Sequence, residues 1–269
     1  MSLSAALAAY YALDESSGTA TAADSHTNAA DLSTVVGTPT AVDPGHVGKA
    51  RQFSGADVRV TQGADEAAVR LGYDRDWTVA FWLKYDAFAI PSGVTCVALQ
   101  RDNEFLVTYS VVGGDAIRFL LGKDNGGPDW ELIDTFASVG SNVWIHYVFR
   151  FNGTTKRCRL DINTTNVHDA TAPTLAGGQT YNNGSASNRL SVGTQADGGI
   201  HQIDEIGVWS SATGGGGELD DADVIDLYNS GAGRDYAYVS AGGGGGGSVA
   251  RPVGGVLTDT ILVGGGLVG

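Results

Sequence analysis

The stretch Ile203-Asp204-Glu205-Ile206-Gly207-Val208-Trp209, followed by Leu219-Asp220-Asp221-Ala222-Asp223-Val224-Ile225-Asp226-Leu227-Tyr228-Asn229-Ser230-Gly231, decides how this chain is read. A short apolar strand ends in Trp209 and leads through a loop into one short amphipathic helix. Asp220 can accept hydrogen bonds from the free amides of the first turn. Asp223, three residues on, completes a capping-box-like pair that the helix dipole favours. Leu219, Val224, Leu227 and Tyr228 form one apolar stripe, and Gly231 suits a left-handed stop. These signals predict a helix over residues 220–229. The four glycines Gly214 to Gly217 before it read as a flexible surface loop without chemistry.

Upstream, nearly everything reads as β-strand. Val79, Phe81 and Leu83 alternate with Ala80, Trp82 and Lys84; both faces are bulky, which places this strand at the centre of a sheet. Residues 105–112 and 116–121 flank Gly113-Gly114-Asp115, a hairpin signal. Residues 144–151 and 156–162 flank Asn152-Gly153-Thr154-Thr155, the strongest hairpin here, with Asn-Gly expected to supply a positive φ. Residues 5–13 read as an edge or closing strand, 130–136 as a further strand, and 189–193 and 199–209 as the last strands. Many short strands with Gly-rich turns predict an all-β, two-sheet antiparallel sandwich. Trp77, Trp82, Trp144 and Trp209 read as its core.

The phrases "DEIGVW" (204–209) and "ADVIDLYNSGAG" (222–233) resemble the closing segment of laminin-G-like domains of the concanavalin A-like superfamily. "YYALDESSGTATAADSHTNAADL" (10–32), "VGKARQFSGAD" (47–57), "DWTVAFWLKYD" (76–86) and "WIHYVFRFNGTTKRCRLDIN" (144–163) agree with that match, which covers roughly residues 5–236. The resemblance implies a jelly-roll sandwich with one short C-terminal helix. It implies no single function, because this fold hosts lectins, adhesins, hydrolases and inert spacers. The glycine quartet departs from the family, where the segment between strand and helix is usually short.

Composition narrows the choices. The 269 residues suffice for one large sandwich and a tail, and a hydrophobic share of 42% allows a substantial core. Forty glycines are far above ordinary usage and fit many tight turns. The formal net charge is −14, and the sixteen basic residues are scattered. Nucleic-acid binding needs clustered positive charge, so it is not expected. The acidic surplus attracts cations instead. Of the two cysteines, Cys158 shares an apolar face with Leu160 and Ile162 and reads as a buried thiol; pairing with Cys96 stays open. The apolar run 3–13 has no basic segment before it, so no secretion signal is evident. A virion or extracellular-surface location is expected, reached by lysis or after a signal was removed.

Glycoside hydrolases of this fold carry catalytic carboxylates as E-x-D-x-x-E, and retaining chemistry needs the pair about 5 Å apart. Residues 201–208 offer only Asp204 and Glu205, adjacent and so expected on opposite faces, followed by Gly207 and Val208. No enzymatic activity is expected. The five histidines show no zinc spacing, and His146 reads as a structural hydrogen-bonder. The family resemblance implies Ca²⁺ at positions matching Asp24, Ser25, Asn28 and Asp204, whose hard oxygens suit it. The alternative is an Asx-turn at Asp24 and a loop anchor at Asp204. Trp130 and Tyr181, in loop-like surroundings, are candidates for stacking on a sugar ring, with local packing as the alternative.

Three regions are expected: the sandwich over 1–238, a glycine linker over 239–247, and an apolar, Gly-rich tail over 248–269. The tail carries only Arg251 and Asp259 as charges. Its glycines and Asp259 argue against a membrane span. Val256, Leu257, Ile261, Leu262 and Val263 have strand composition and are expected to add to an exposed sheet edge, most usefully on another copy. The expected role is a non-catalytic structural or binding module displayed on a larger assembly, such as a phage virion or surface filament. The alternative is a lectin-like adhesion domain that binds glycans.

Overall fold

The computed structural model describes residues 3–26, 28–86, 95–110, 116–124, 128–137, 142–175, 179–183, 188–193 and 199–234. The side chains of several strand-end residues, Cys96 and Trp130 among them, and the expected linker and tail lie outside that description. In chain order the strands are β1 (Leu7–Tyr11), β2 (Thr34–Val36), β3 (Thr40–Val42), β4 (Ala50–Gly55), β5 (Arg59–Thr61), β6 (Arg75–Asp86), β7 (Thr95–Arg101) and β8 (Phe105–Ser110). They continue with β9 (Ala116–Asp124), β10 (Pro128–Ala137), β11 (Ile145–Asn152), β12 (Arg157–Ile162), β13 (Thr165–Thr171), β14 (Thr180–Tyr181), β15 (Leu190–Gly193) and β16 (Gly199–Ala212). One α-helix, α1 (Asp221–Tyr228), follows.

Among the described residues all strand pairings are antiparallel and form two sheets. The front sheet runs β13-β12-β11-β6-β16-β4-β3, with β1 also on β16; the back sheet runs β10-β9-β8-β7-β15-β5-β2, with β14 on β9. This is a jelly-roll sandwich, and β6 is central in its sheet as its two bulky faces predict. Between the sheets, Trp77, Phe81, Phe105, Phe119, Phe149 and Phe151 are buried together. Their rings meet edge-on or offset, as at Trp77–Phe105 (5.3 Å, 75°) and Phe119–Phe149 (5.2 Å, 61°). Cys158 is a free, buried thiol in this core, its pKa pushed up to about 12 by burial.

A second, smaller core lies on the outer face of the front sheet. Leu219, Val224 and Leu227 pack there on Leu3, Leu7, Tyr10, Ala80, Val148 and Trp209. Trp209 and Trp82 thus belong to the outer face, not to the space between sheets. Alternation along a strand separates two faces, but cannot say which one meets the other sheet. Buried Arg150 fastens the helix to this face, donating to Leu219 O (3.1 Å), Asp221 Oδ1 (2.7 Å) and Asp161 Oδ2 (2.6 Å).

The capping box is present: the Asp223 N–H donates to Asp220 Oδ1 at 2.9 Å and the Asp220 N–H to Asp223 Oδ2 at 3.4 Å. The helix ends earlier than Gly231 predicts. Asn229 already takes the left-handed conformation (φ 49°), and its Nδ2 closes the turn on Gly233 O at 2.8 Å. In the 152–157 hairpin the positive φ also falls elsewhere, at Lys156 (61°). Asn152 caps the turn through its side chain, accepting from the Thr154 and Thr155 amides. Gly153 is required for space, since a Cβ would lie 2.6 Å from Arg75 O. The quartet 214–217 is pinned, not loose. Asp76 accepts from the Gly214 N–H at 2.5 Å, and Gly216 and Gly217 are buried.

One buried histidine reports on pH. His201 Nδ1 meets Tyr109 Oη at 2.7 Å, and its ring stacks on Phe53 between the sheets. Burial lowers its pKa to about 3, against about 6.5 in an unfolded chain. The unfolded chain therefore takes the proton first. Stability from the neutral ring is full above about pH 6.5 and is lost as the pH falls toward 3. The double variant His201→Phe/Tyr109→Phe keeps the apolar packing and removes this titration. Its melting temperature should fall less than the parent's between pH 6.5 and pH 4; equal falls would rule out His201 as the source.

Candidate functional site

The expected calcium residues fall in two places. In the first, the loop after β1 folds around Asp24. Its Oδ1 accepts from the Tyr10 N–H (3.0 Å) and the His26 N–H (2.9 Å), and its Oδ2 from the Ala30 N–H (3.0 Å). The Ser25 N–H donates to Tyr10 O at 2.8 Å and Asn28 Nδ2 to Ala8 O at 2.7 Å. The loop is therefore an Asx-type turn laid against β1. Burial raises the Asp24 pKa, and the amides of His26 and Ala30 pull against that rise.

In the second place, Asp204 leaves β16 on the outer face, fully buried, and its Oδ2 accepts from the His46 N–H (2.8 Å) and the Val47 N–H (2.9 Å). It holds the loop that links β3 to β4. His46 then stacks on Trp82 at 3.5 Å, and Tyr228 covers another part of that indole. Desolvation raises the Asp204 pKa well above the ordinary range, opposed by the Val47 and His46 amides. The charge it feels is Asp14, whose Oδ1 accepts from the Lys49 N–H at 2.5 Å.

No hydrogen bond joins the Asp24 loop to Asp204 among the described residues, and no three His, Cys, Asp or Glu side chains there come together with metal-binding spacing. A carboxylate has about four acceptor positions, and three amides use three of those on Asp24. The residues fit Ca²⁺ only if their remaining lone pairs and nearby carbonyl oxygens complete its shell.

The signature carboxylates lie at an irregularity of β16. A bulge between Asp204 and Gly207 shifts the register against β6, and Glu205 sits on it at φ 52°. Gly207 is fixed by Trp209, whose ring would lie 2.4 Å from a Cβ there. Tyr181, expected in a loop, lies in β14 and is only 6% exposed. Its ring stacks on Tyr73 at 4.3 Å and its hydroxyl donates to Pro173 O, so both are engaged in packing. Trp130 lies in β10. The crevice beside Tyr73, Trp77, Glu104 and Tyr181 has no room for a small molecule. Sequence reasoning missed the His46–Val47 loop as the partner of Asp204. No local signal links positions 158 residues apart.

This geometry agrees with comparison to known proteins. The laminin-G family model described as the concanavalin A-like lectin/glucanases superfamily matches residues 57–215, and the chain belongs to that family. No curated protein matches the sequence. The fold is similar to the binding domain of Paraclostridial Mosquitocidal Protein 1, with TM-score 0.62 and 16% identity over 85% of this chain and 53% of that one. It is similar to the botulinum neurotoxin serotype D/C binding domain, with TM-score 0.61 and 14% identity over 85% and 53%. A botulinum neurotoxin type C structure, described as dependent on two ganglioside molecules for cell entry, matches with TM-score 0.53 and 16% identity over 77% and 48%. The chain spans about half the length of these structures, and the likeness is one of fold. Among the described residues no helix is long and apolar enough to cross a membrane.

Removing the Asp204 carboxylate leaves two backbone amides without their acceptor, at a cost of about 2 kcal/mol. Asp204→Ala should lower the melting temperature by roughly 4–8 °C, measured in EDTA. A variant that melts with the parent would show that the 43–49 loop stands without it.

Proposed function

We propose that this chain is a non-catalytic binding module carried on a larger assembly at a virion or extracellular surface. One observation carries the reading. Of the two signature carboxylates, Asp204 is committed to bracing a loop and Glu205 sits on a left-handed bulge, with no acid at Gly207 or Val208. The similar toxin domains, which are binding domains, support it by analogy of fold. Attachment is assigned to the tail, residues 248–269, whose strand-like stretch around Val256, Leu257, Ile261, Leu262 and Val263 would add to a sheet edge of another copy. Lectin-like glycan binding is the second reading, favoured by the uncovered part of the front sheet.

Calcium enters the proposal as a stabiliser of the acidic loops, and its binding would have to draw Asp24, Ser25 and Asn28 of the first loop together with Asp204. Excess Ca²⁺ should then raise the melting temperature by binding linkage, EDTA should reverse it, and Asp204→Ala should no longer respond. An unchanged parental curve removes the ion and leaves amide bracing as the role of these residues.

The whole reading is tested on purified protein. It should release no reducing sugar from β-glucans or galactans; turnover lost in Asp204→Asn or Glu205→Gln would overturn it. Truncation after Tyr238 should leave a folded, monomeric sandwich that no longer assembles. Unimpaired assembly of the truncated chain would dismiss the tail.

A further inference from the structure

Among the described residues the outer face of the front sheet is covered only in part. Helix α1, the N-terminal residues and the 43–49 loop cover the region of Trp209, Val148, Ala80 and Trp82. Just beyond it, strand register lines up a second row. Thr40 of β3 pairs with Gln52 of β4, Gln52 with Gln202 of β16, and Gln202 with Lys84 of β6. Ile145 pairs with Leu83, and the Asn142 N–H donates to Tyr85 O at 2.8 Å, so Trp144 runs beside Lys84. The neighbours His201, Ile203, Leu83 and Ile145 are buried, His201 against Tyr109 and the others in the core between the sheets. Alternation therefore turns Gln202, Lys84 and Trp144 outward. None of the five residues is buried. At a strand spacing of about 4.8 Å the row is about 19 Å long.

The chemistry of this row is specific. Gln202 Nε2 donates to Gln52 Oε1 at 3.0 Å, which aligns the two amides and leaves further donors and acceptors pointing outward. Lys84 has no ion pair among the described residues. The Trp144 ring is held by His46, with centroids 5.7 Å apart, and His46 is itself fixed on Trp82. A half-exposed indole thus stands at one end of a strip that carries two amides and one cation. The strip is polar apart from Trp144, whereas the centre of a stable protein interface is apolar. Sugar hydroxyls both donate and accept, as amides do, and a pyranose face stacks on an indole. Lys84, the one charge on this row and without an ion pair among the described residues, complements an anion locally, against the chain's net charge of −14.

We propose that Thr40, Gln52, Gln202, Lys84 and Trp144 form a binding strip for a saccharide chain bearing carboxylated sugars. Trp144 stacks on one ring, the glutamines hydrogen-bond hydroxyls, and Lys84 pairs with the carboxylate. This rests on the lectin-like reading above and gives it a place and a ligand class.

The full chain should be screened on an array of uronate- and sialate-bearing glycans beside their neutral counterparts, and the best binder titrated by calorimetry. The acidic glycan should bind at least tenfold more tightly than its methyl ester, and more weakly as salt rises. Trp144→Ala and Lys84→Ala should each weaken binding tenfold or more, with melting temperatures within about 2 °C of the parent, as for surface changes. Equal affinity for acid and ester overturns the proposal. Binding that survives both substitutions also overturns it, while leaving the lectin-like reading intact. Retention of no glycan at all overturns both and leaves the assembly reading to its own truncation test.

Discussion

Strand β16 is the element on which the rest of the sandwich depends. It pairs with β6 along its length, with β4 over Gly199–Ile203 and with β1 over Ile206–Trp209. The bulge at Asp204–Gly207 is where β16 changes partner on one side. That irregularity is built from residues with few substitutes. Gly207 leaves room for the Trp209 ring, and Asp204 turns a buried carboxylate onto the amides of the 43–49 loop. The cost of burying that carboxylate is offset because the loop amides would otherwise be unsatisfied. His46 is then delivered onto Trp82, and the helix closes over the other side of the same indole through Tyr228.

Buried charges fasten the remaining loops in the same manner. Arg150 joins β11, β12 and the start of α1 through Asp161 and Asp221. At the other end, Arg101 reaches Glu104 (3.0 Å), Gln62 (3.2 Å) and Asp65 (2.5 Å), while Glu104 accepts from the Leu71 N–H and from Asn188. Such networks add less to net stability than to uniqueness, since removing one member strands a buried charge. They make the sandwich a rigid frame, which suits a surface that recognises a partner by shape and hydrogen bonding. The row of Thr40, Gln52, Gln202, Lys84 and Trp144 meets the braced 43–49 loop through His46, whose ring lies against that of Trp144.

What the sequence determined by itself was everything that depends on near neighbours. Alternation in β6, β11 and β12 was legible because residues two apart share a face, and it placed Cys158, Leu160 and Ile162 together correctly. The Asp220–Asp223 cap was legible because both partners lie within one helical turn. The motifs at the end of the chain were specific enough to indicate the family. Tertiary structure alone decided which face meets what. It set Trp82 and Trp209 under the helix and put Tyr181 in packing. It gave Asp204 a partner loop 158 residues away and ordered the 214–217 glycines around Asp76. It also aligned Thr40, Gln52, Gln202, Lys84 and Trp144 into one row. The physical reason is strand register. A sheet brings together residues that are remote in the chain, and a shift of one residue would turn every one of them to the opposite face.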